Sequence, residues 1–429
     1  MNKYIIVIAL FCNINLFGQT NFIAFDTLDN KNYSIKLATE FKQKYKIINK
    51  NIDLETSQQN RIVKEIYIEN QKSFLEDIEK NNFVNDDKIN SYLQNLLTEI
   101  LSSNKIDANH YKILLSTDAV VNAYNYGDGI IVINYGLFNA VENEDELVFV
   151  ICHETGHQYL NHVKKEIENY AILSTSEEIV KKTSDIRRKK YQKATLATNL
   201  LNTIRYKNYK KRRQKEIEAD SIGLYFYKKT LRNQENILGL FKKLEKSNIE
   251  QDSLTIADYK AFFEKGDFKL KSKYFDDDES IFQKYDYKRN ANVDSLQTHP
   301  DCSTRVKLLS QKLDLKTSFA AKSKAFETFK KHSNYQNLIN LLNNKEYGFC
   351  LYETLKLYKN DNQNIFLKNT IYQNLVQINK SKKNYTISRF IPDIDKTHNS
   401  KSLNTFITFI NNIKTTDLEL ITNQFIPQK

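Results

Sequence analysis

The sequence predicts a mainly α protein with one small β-sheet (α+β), a mixed domain over residues 56–313 being followed by a repeat-like, all-helical domain over 314–429. Three observations carry this. β-Forming residues are gathered in one stretch, 111–133. Apolar residues recur at helical spacing on both sides of it. Beyond about residue 313 the chain becomes a string of amphipathic helices: 319–331, 337–342, 351–358, 365–376 and 403–413.

The chain opens MNKYIIVIALFCNINLFGQT. Lys3 gives a short positive region, Tyr4 to Phe11 an apolar core too short to span a bilayer, and Phe17-Gly18-Gln19 a cleavage neighbourhood. Residues 1–19 are therefore expected to be a cleaved secretory signal and the periplasm the destination. Release from the cell and lipid anchoring at Cys12 are the alternatives, the latter disfavoured by bulky Phe11 where processing wants a small residue. No later stretch approaches the ~20 consecutive apolar residues that cross a membrane. Residues 20–55 are polar and mixed, with little periodicity and no predicted structure.

The net charge of +12 comes from lysines spread through helical stretches, with runs at 187–190 and 210–213. These read as solvated faces rather than a nucleic-acid site, although a basic surface suits peripheral association with anionic membranes or acidic partners. Once the signal is gone, Cys152, Cys302 and Cys350 remain, widely and irregularly spaced. They make no disulfide framework.

In chain order, Ile62, Ile66, Phe74 and Ile78 mark a helix within 58–83, and Asn85-Asp86-Asp87 caps a second whose stripe is Ile89, Leu93, Leu96, Leu97 and Ile100. Residues 111–116 predict a strand, and 119–133 a strand, turn and strand around Asn125-Tyr126-Gly127-Asp128-Gly129. Asn143 with Glu146 three residues on resembles a capping box and starts the next helix.

That helix carries ICHETGHQYLNH, and within it HExxH. His153 and His157 lie one turn apart on one face and can offer two imidazole nitrogens to one metal ion. Glu154, about 100° round the axis, can reach water at the same metal as a general base. Cys152 points away from His153 and reads as packing. Gly156 costs roughly 1 kcal/mol relative to Ala, which marks close approach of another backbone. His162 falls on the opposite side of a continuous helix and reads as no ligand. A small sheet directly before such a helix places a strand edge along the cleft, where an extended substrate can pair through its main chain.

Residues 163–215 read as a helical hairpin, ending in EIEADSIGL. Glu216 and Asp220 share a helix face; two such acids alone read as a solvated face, but Ala219, Ile222, Leu224 and Phe226 around them favour burial, where one carboxylate can bind the metal while the other orients a ligand histidine. Zinc is the metal that two histidines and a carboxylate suit, one ion per chain, although other divalent ions take such sites. His299 lies in Thr298-His299-Pro300, held extended by the proline.

HETGHQYLNH, EIEAD, then THP followed by Arg305 resemble the HtpX, Oma-type and BepA-like zinc endopeptidases, relatives of the CAAX prenyl proteases. VNAYNYGDGIIVINYGLF resembles the strand those enzymes place before the metal helix, with Tyr126-Gly127-Asp128-Gly129 standing where the family has two glycines after a proline. The resemblance covers roughly 86–313 and is greatest to the exported BepA-like branch, since this chain lacks the transmembrane helices of the others. It implies a zincin-like metallopeptidase domain, with His153, His157 and Glu216 as zinc ligands and Glu154 as catalytic base. It further implies Asp220 as the acid behind the ligands, Asn122, Ala123 and Tyr124 as the substrate strand, and His299 as a residue that closes over the metal and holds the enzyme latent. Substrates would be proteins or peptides, plausibly misassembled envelope proteins, and the C-terminal helices would meet the envelope assembly machinery. A zinc-stabilised, chaperone-like binding module with a latent site is the rival expectation.

Overall fold

A computed structural model describes residues 22, 24, 25, 31–237, 239, 240, 253–276, 302–313, 323–396 and 399–427. The fold is mainly α with a small sheet, as the sequence predicts. Helices α1 (Lys31–Lys50), α2 (Ser57–Glu79) and α3 (Asp87–Ser103) lead into strands β1 (Lys112–Ser116), β2 (Ala123–Gly127) and β3 (Ile130–Asn134). The short α4 (Leu137–Ala140), α5 (Glu144–Tyr159), α6 (His162–Ser174), α7 (Glu177–Arg188) and the long α8 (Lys193–Lys229) follow.

The strand order is β1-β3-β2, with β1 parallel and β2 antiparallel to β3. The run IIVIN is apolar throughout because β3 is central and covered on both faces. Ile131 and Ile133 face α3, α5 and α8, whereas Ile130 and Val132 face Phe41 of α1 and Phe74 of α2. Alternation along one strand thus feeds two cores. β2 bulges between Asn125 and Gly127, and Gly127, Asp128 and Gly129 all take positive φ to turn the chain. A Cβ on Gly129 would lie 1.8 Å from the His110 carbonyl oxygen, so only glycine fits.

Local signals place several helix starts. The Asp86 carboxylate accepts from the Lys88 and Ile89 amides, and Asn143 Oδ1 accepts from the Glu146 amide. Glu146 reaches back to the Glu142 amide, one residue before the expected partner.

Two stretches differ from expectation. Helix α1 occupies the segment that showed little periodicity, and its stripe of Leu37, Ala38, Phe41 and Tyr45 is buried against α2 and one face of the sheet. The expected hairpin over 163–215 is two short helices followed by α8, a single 37-residue helix running through Glu216 and Asp220.

Downstream lie α9 (Ile256–Phe263), α10 (Cys302–Ser310), α11 (Lys324–Asn343), α12 (Tyr347–Asn360), α13 (Ile365–Lys383), α14 (Lys401–Asn412) and α15 (Thr415–Asn423). The expected break between residues 331 and 337 does not occur: α11 runs through it, with Ser333, Gln336 and Asn337 buried. A second core joins α11–α15 and draws in Tyr259, Phe263 and Tyr274. Among the described residues no helix is long and apolar enough to cross a membrane.

Candidate metal centre

Helices α5 and α8 pack closely enough for their backbones to touch, and two glycines allow it. A Cβ on Gly156 would stand 2.6 Å from Ile222 Cγ2 and 3.0 Å from the Ala219 carbonyl oxygen. Gly156 therefore marks a close approach, as expected. Gly223 packs reciprocally against the backbone of His153. This apposition carries Glu216 and Asp220 of α8 to the imidazoles of α5.

His153 Nε2 and His157 Nε2 are 3.1 Å apart, and the Glu216 carboxylate oxygens lie 3.5 Å from the first and 3.4 Å from the second. Metal bonds of ~2.0–2.2 Å meeting at tetrahedral angles space donor atoms by roughly 3.3 Å. The Glu216 carboxylate turns one oxygen toward each imidazole nitrogen, the three residues gather their donor atoms within 4.8 Å of one another, and two imidazoles with a carboxylate fit the ion.

Asp220 Oδ1 lies 2.9 Å from His153 Nδ1, the nitrogen turned away from the centre. Arg305, from α10, clamps both Asp220 oxygens at 2.7 Å. Burial opposes charge on Asp220, but Arg305 and His153 outweigh it and hold its pKa below the usual range. Burial also disfavours charge on His153, yet hydrogen bonds to Asp220 and Glu216 raise its pKa to about 10. Burial and the neighbouring His153 push His157 down to about 3. Carboxylates on three sides therefore make the point between the imidazoles attractive to a positive charge.

Glu154 is buried, with Oε1 4.0 Å from His153 Nε2 and the Asn125 backbone N–H directed at its carboxylate. Burial, only partly offset by His153, pushes its pKa up to about 7. Cys152 is fully buried among apolar side chains, and burial drives its thiol well above the ordinary value.

A cavity of about 130 Å³ opens beside the donors, bounded by Val121, Asn122 and Ala123 on one side and by Leu137, Phe149 and Leu240 on the other. Asn122 turns its carbonyl toward β3, where it accepts from the Asn134 amide at 3.0 Å. By alternation Tyr124 also faces β3, leaving the N–H and C=O of Ala123 and Asn125 on the outer edge. Among the residues expected for the strand, Ala123 alone presents its main chain outward.

His162 departs from the sequence reading. Helix α5 stops at Tyr159, Asn161 adopts a left-handed conformation (φ 56°), and α6 restarts the chain at His162. The break swings His162 back beneath His157, with their Nδ1 atoms 2.9 Å apart, and Glu218 Oε2 lies 3.3 Å from His162 Nε2. Arg305, His162, Glu218 and Asn125 are the functional neighbours to which sequence reasoning gave no role. His299 and residues 1–19 lie outside the described residues.

Residues 87–313 match the profile of Peptidase family M48. The chain is also similar to a Vibrio cholerae protein described as a beta-barrel assembly-enhancing protease, at 27% identity over 88 residues. That match takes in 20% of this chain and spans only 18% of the relative's length.

Proposed function

This chain belongs to peptidase family M48, a family of metalloendopeptidases, and from that premise we propose that it is an exported zinc endopeptidase acting on extended segments of misfolded or misassembled envelope proteins. The observation that carries the reading is the convergence of the His153, His157 and Glu216 donor atoms within 4.8 Å of one another, with the Glu154 carboxyl alongside. Zinc held by these three residues would supply a Lewis acid for the scissile carbonyl and would acidify water. Glu154 would take a proton from the attacking water and deliver it to the leaving amine. Burial of Glu154 favours its neutral form, which helps it hold the proton between the two transfers. Asp220, locked by Arg305, fixes the His153 tautomer so that Nε2 is free to bind the metal.

The substrate lies extended along the outer edge of β2, pairing with the N–H and C=O of Ala123, while the Asn125 N–H stays on the Glu154 carboxylate. A second cavity, about 490 Å³, continues from Val121 between residues 118–121 and helices α11 and α12. It supports a peptidase core over 56–313 working with a C-terminal domain over 314–429 that holds the substrate's flank or meets assembly machinery. The relative's described role in beta-barrel assembly supports the envelope as the setting, and the Lys3 and apolar 4–11 pattern supports export to the periplasm. The likeness of Thr298-His299-Pro300 to the family motif supports a role for His299 in holding the enzyme latent.

The same cavity favours a second reading, a zinc-stabilised binding module whose peptidase site stays latent. The test is cleavage of an unfolded protein by the parent and by Glu154→Gln, with zinc measured in both. One zinc in each and cleavage by the parent alone supports the peptidase. One zinc in each and cleavage by neither, even after His299→Ala, supports the binding module. Chelation should abolish cleavage and added zinc restore it.

A further inference from the structure

His153 and His157 are paired at the metal face but differ behind it. His153 has a carboxylate directly on its Nδ1, whereas the nearest group to His157 Nδ1 is another imidazole nitrogen, His162 Nδ1, at 2.9 Å. Two imidazole nitrogens at that distance need one proton between them. His157 Nε2 faces the donors of the centre, so its lone proton as a neutral ligand sits on Nδ1. His162 Nδ1 must then accept that proton, which places the His162 proton on Nε2, toward Glu218 Oε2 at 3.3 Å. The other Glu218 oxygen accepts from Gln214 at 3.1 Å, and the Lys215 ammonium donates to the His162 carbonyl at 3.0 Å. Every hydrogen-bond direction in the chain is therefore fixed.

We propose that His162 and Glu218 form a relay that positions His157: Glu218 holds the His162 tautomer, and His162 in turn holds the ring angle and tautomer of His157 for the metal. The proposal rests on the reading of His153, His157 and Glu216 as the zinc site. His162 and Glu218 are positioning residues, since neither faces the cavity where substrate would lie. The left-handed Asn161 makes the relay possible, because an uninterrupted helix would carry His162 away from His157.

The test is the zinc dissociation constant of the full chain, by competition with a chromogenic chelator, for the parent and for His162→Leu, His162→Asn, Glu218→Ala and His153→Ala. Loss of a hydrogen-bond partner behind a ligand histidine weakens metal binding about 10–100-fold, and that is expected for His162→Leu. His162→Asn should recover most of the loss, because Asn Oδ1 can stand where Nδ1 stood and accept from His157. Glu218→Ala should fall between the parent and His162→Leu. Melting of the metal-free proteins separates folding from positioning: the relay predicts equal melting with unequal zinc affinity. His162→Leu binding zinc as tightly as the parent overturns the proposal, and so does His162→Asn binding as weakly as His162→Leu. Should His162→Leu not fold, Glu218→Ala matching the parent overturns it. Retention of tight zinc by His153→Ala is a separate failure, that of the zinc site itself.

Discussion

Gly223 on α8 lies flush against His153 on α5: a Cβ placed on Gly223 would stand 3.0 Å from the His153 Cα and 3.1 Å from its amide nitrogen. The residue that lets the helices touch therefore sits about one turn from Asp220 and two turns from Glu216. Gly223→Ala must push α8 away from α5, and forcing extra volume into a packed interface costs about 1–3 kcal/mol. The same displacement moves Glu216 off the imidazoles. The expected result is a lower melting temperature of the metal-free protein together with weaker zinc binding, read by calorimetry and chelator competition.

Asp220→Asn keeps the shape of the side chain but removes the charge that faces His153 Nδ1 and Arg305. Zinc affinity should fall about 10–100-fold, the usual consequence of losing a carboxylate behind a ligand histidine. Zinc titration checks this. The fall should exceed that of Glu218→Ala, whose carboxylate acts through an intervening imidazole.

Arg232 ties together the start of α5 and the middle of α3, pairing with Glu99 at 2.8 Å, Glu144 at 3.0 Å and Asp145 at 3.4 Å. Arg232→Met strands these carboxylates. Breaking a buried pair costs about 3–5 kcal/mol, and the lower end applies because part of this cluster reaches solvent. Denaturant unfolding measures the loss.

Acid stability should carry the same cluster's signature. Burial of Glu144 favours its protonated form, but hydrogen bonds from Ser323, Tyr92 and Arg232 outweigh it and hold its pKa below 4.5. A carboxylate with a depressed folded pKa contributes fully above the unfolded value, and the contribution is lost as pH falls through the folded value. The parent should lose stability below about pH 4.5, and Arg232→Met should lose less over the same window. Unfolding curves from pH 6 down to about pH 3 would show it.

Ala123→Pro removes an outward N–H from an edge strand, where proline is tolerated better than inside a sheet. With substrate paired along β2, KM for an extended peptide should rise while zinc content stays the same. An unchanged KM would remove β2 from the substrate path.

What could be read from the sequence was local in origin. HExxH fixes two imidazoles on one helix face because i, i+4 geometry does not depend on the rest of the fold, and EIEAD does the same for Glu216 and Asp220. The strands were legible because β3 is buried on both faces and reads as an apolar run. His162 was misplaced because its position depends on one backbone angle, that of Asn161. An asparagine directly after the last helical turn was the available signal, since Asn adopts the left-handed conformation more readily than most residues. Helix α1 was missed because its four buried residues are outnumbered by polar neighbours, and the core they join combines Phe74 and Ile78 of α2 with strand residues far along the chain. Arg305 stood in a recognised motif, but its grip on Asp220 spans 85 residues of sequence and no local pattern encodes it.

The open side of β2 has a consequence for how the protein behaves at high concentration. A strand with unpaired main-chain groups invites pairing by any extended chain, including a loosened strand from a second copy, and so is a nucleus for self-association. Here that invitation is confined to five residues ending in a bulge, with Gly127, Asp128 and Gly129 twisting the chain away. An extended guest therefore finds a short landing strip, too brief for sheets to propagate from one molecule to the next.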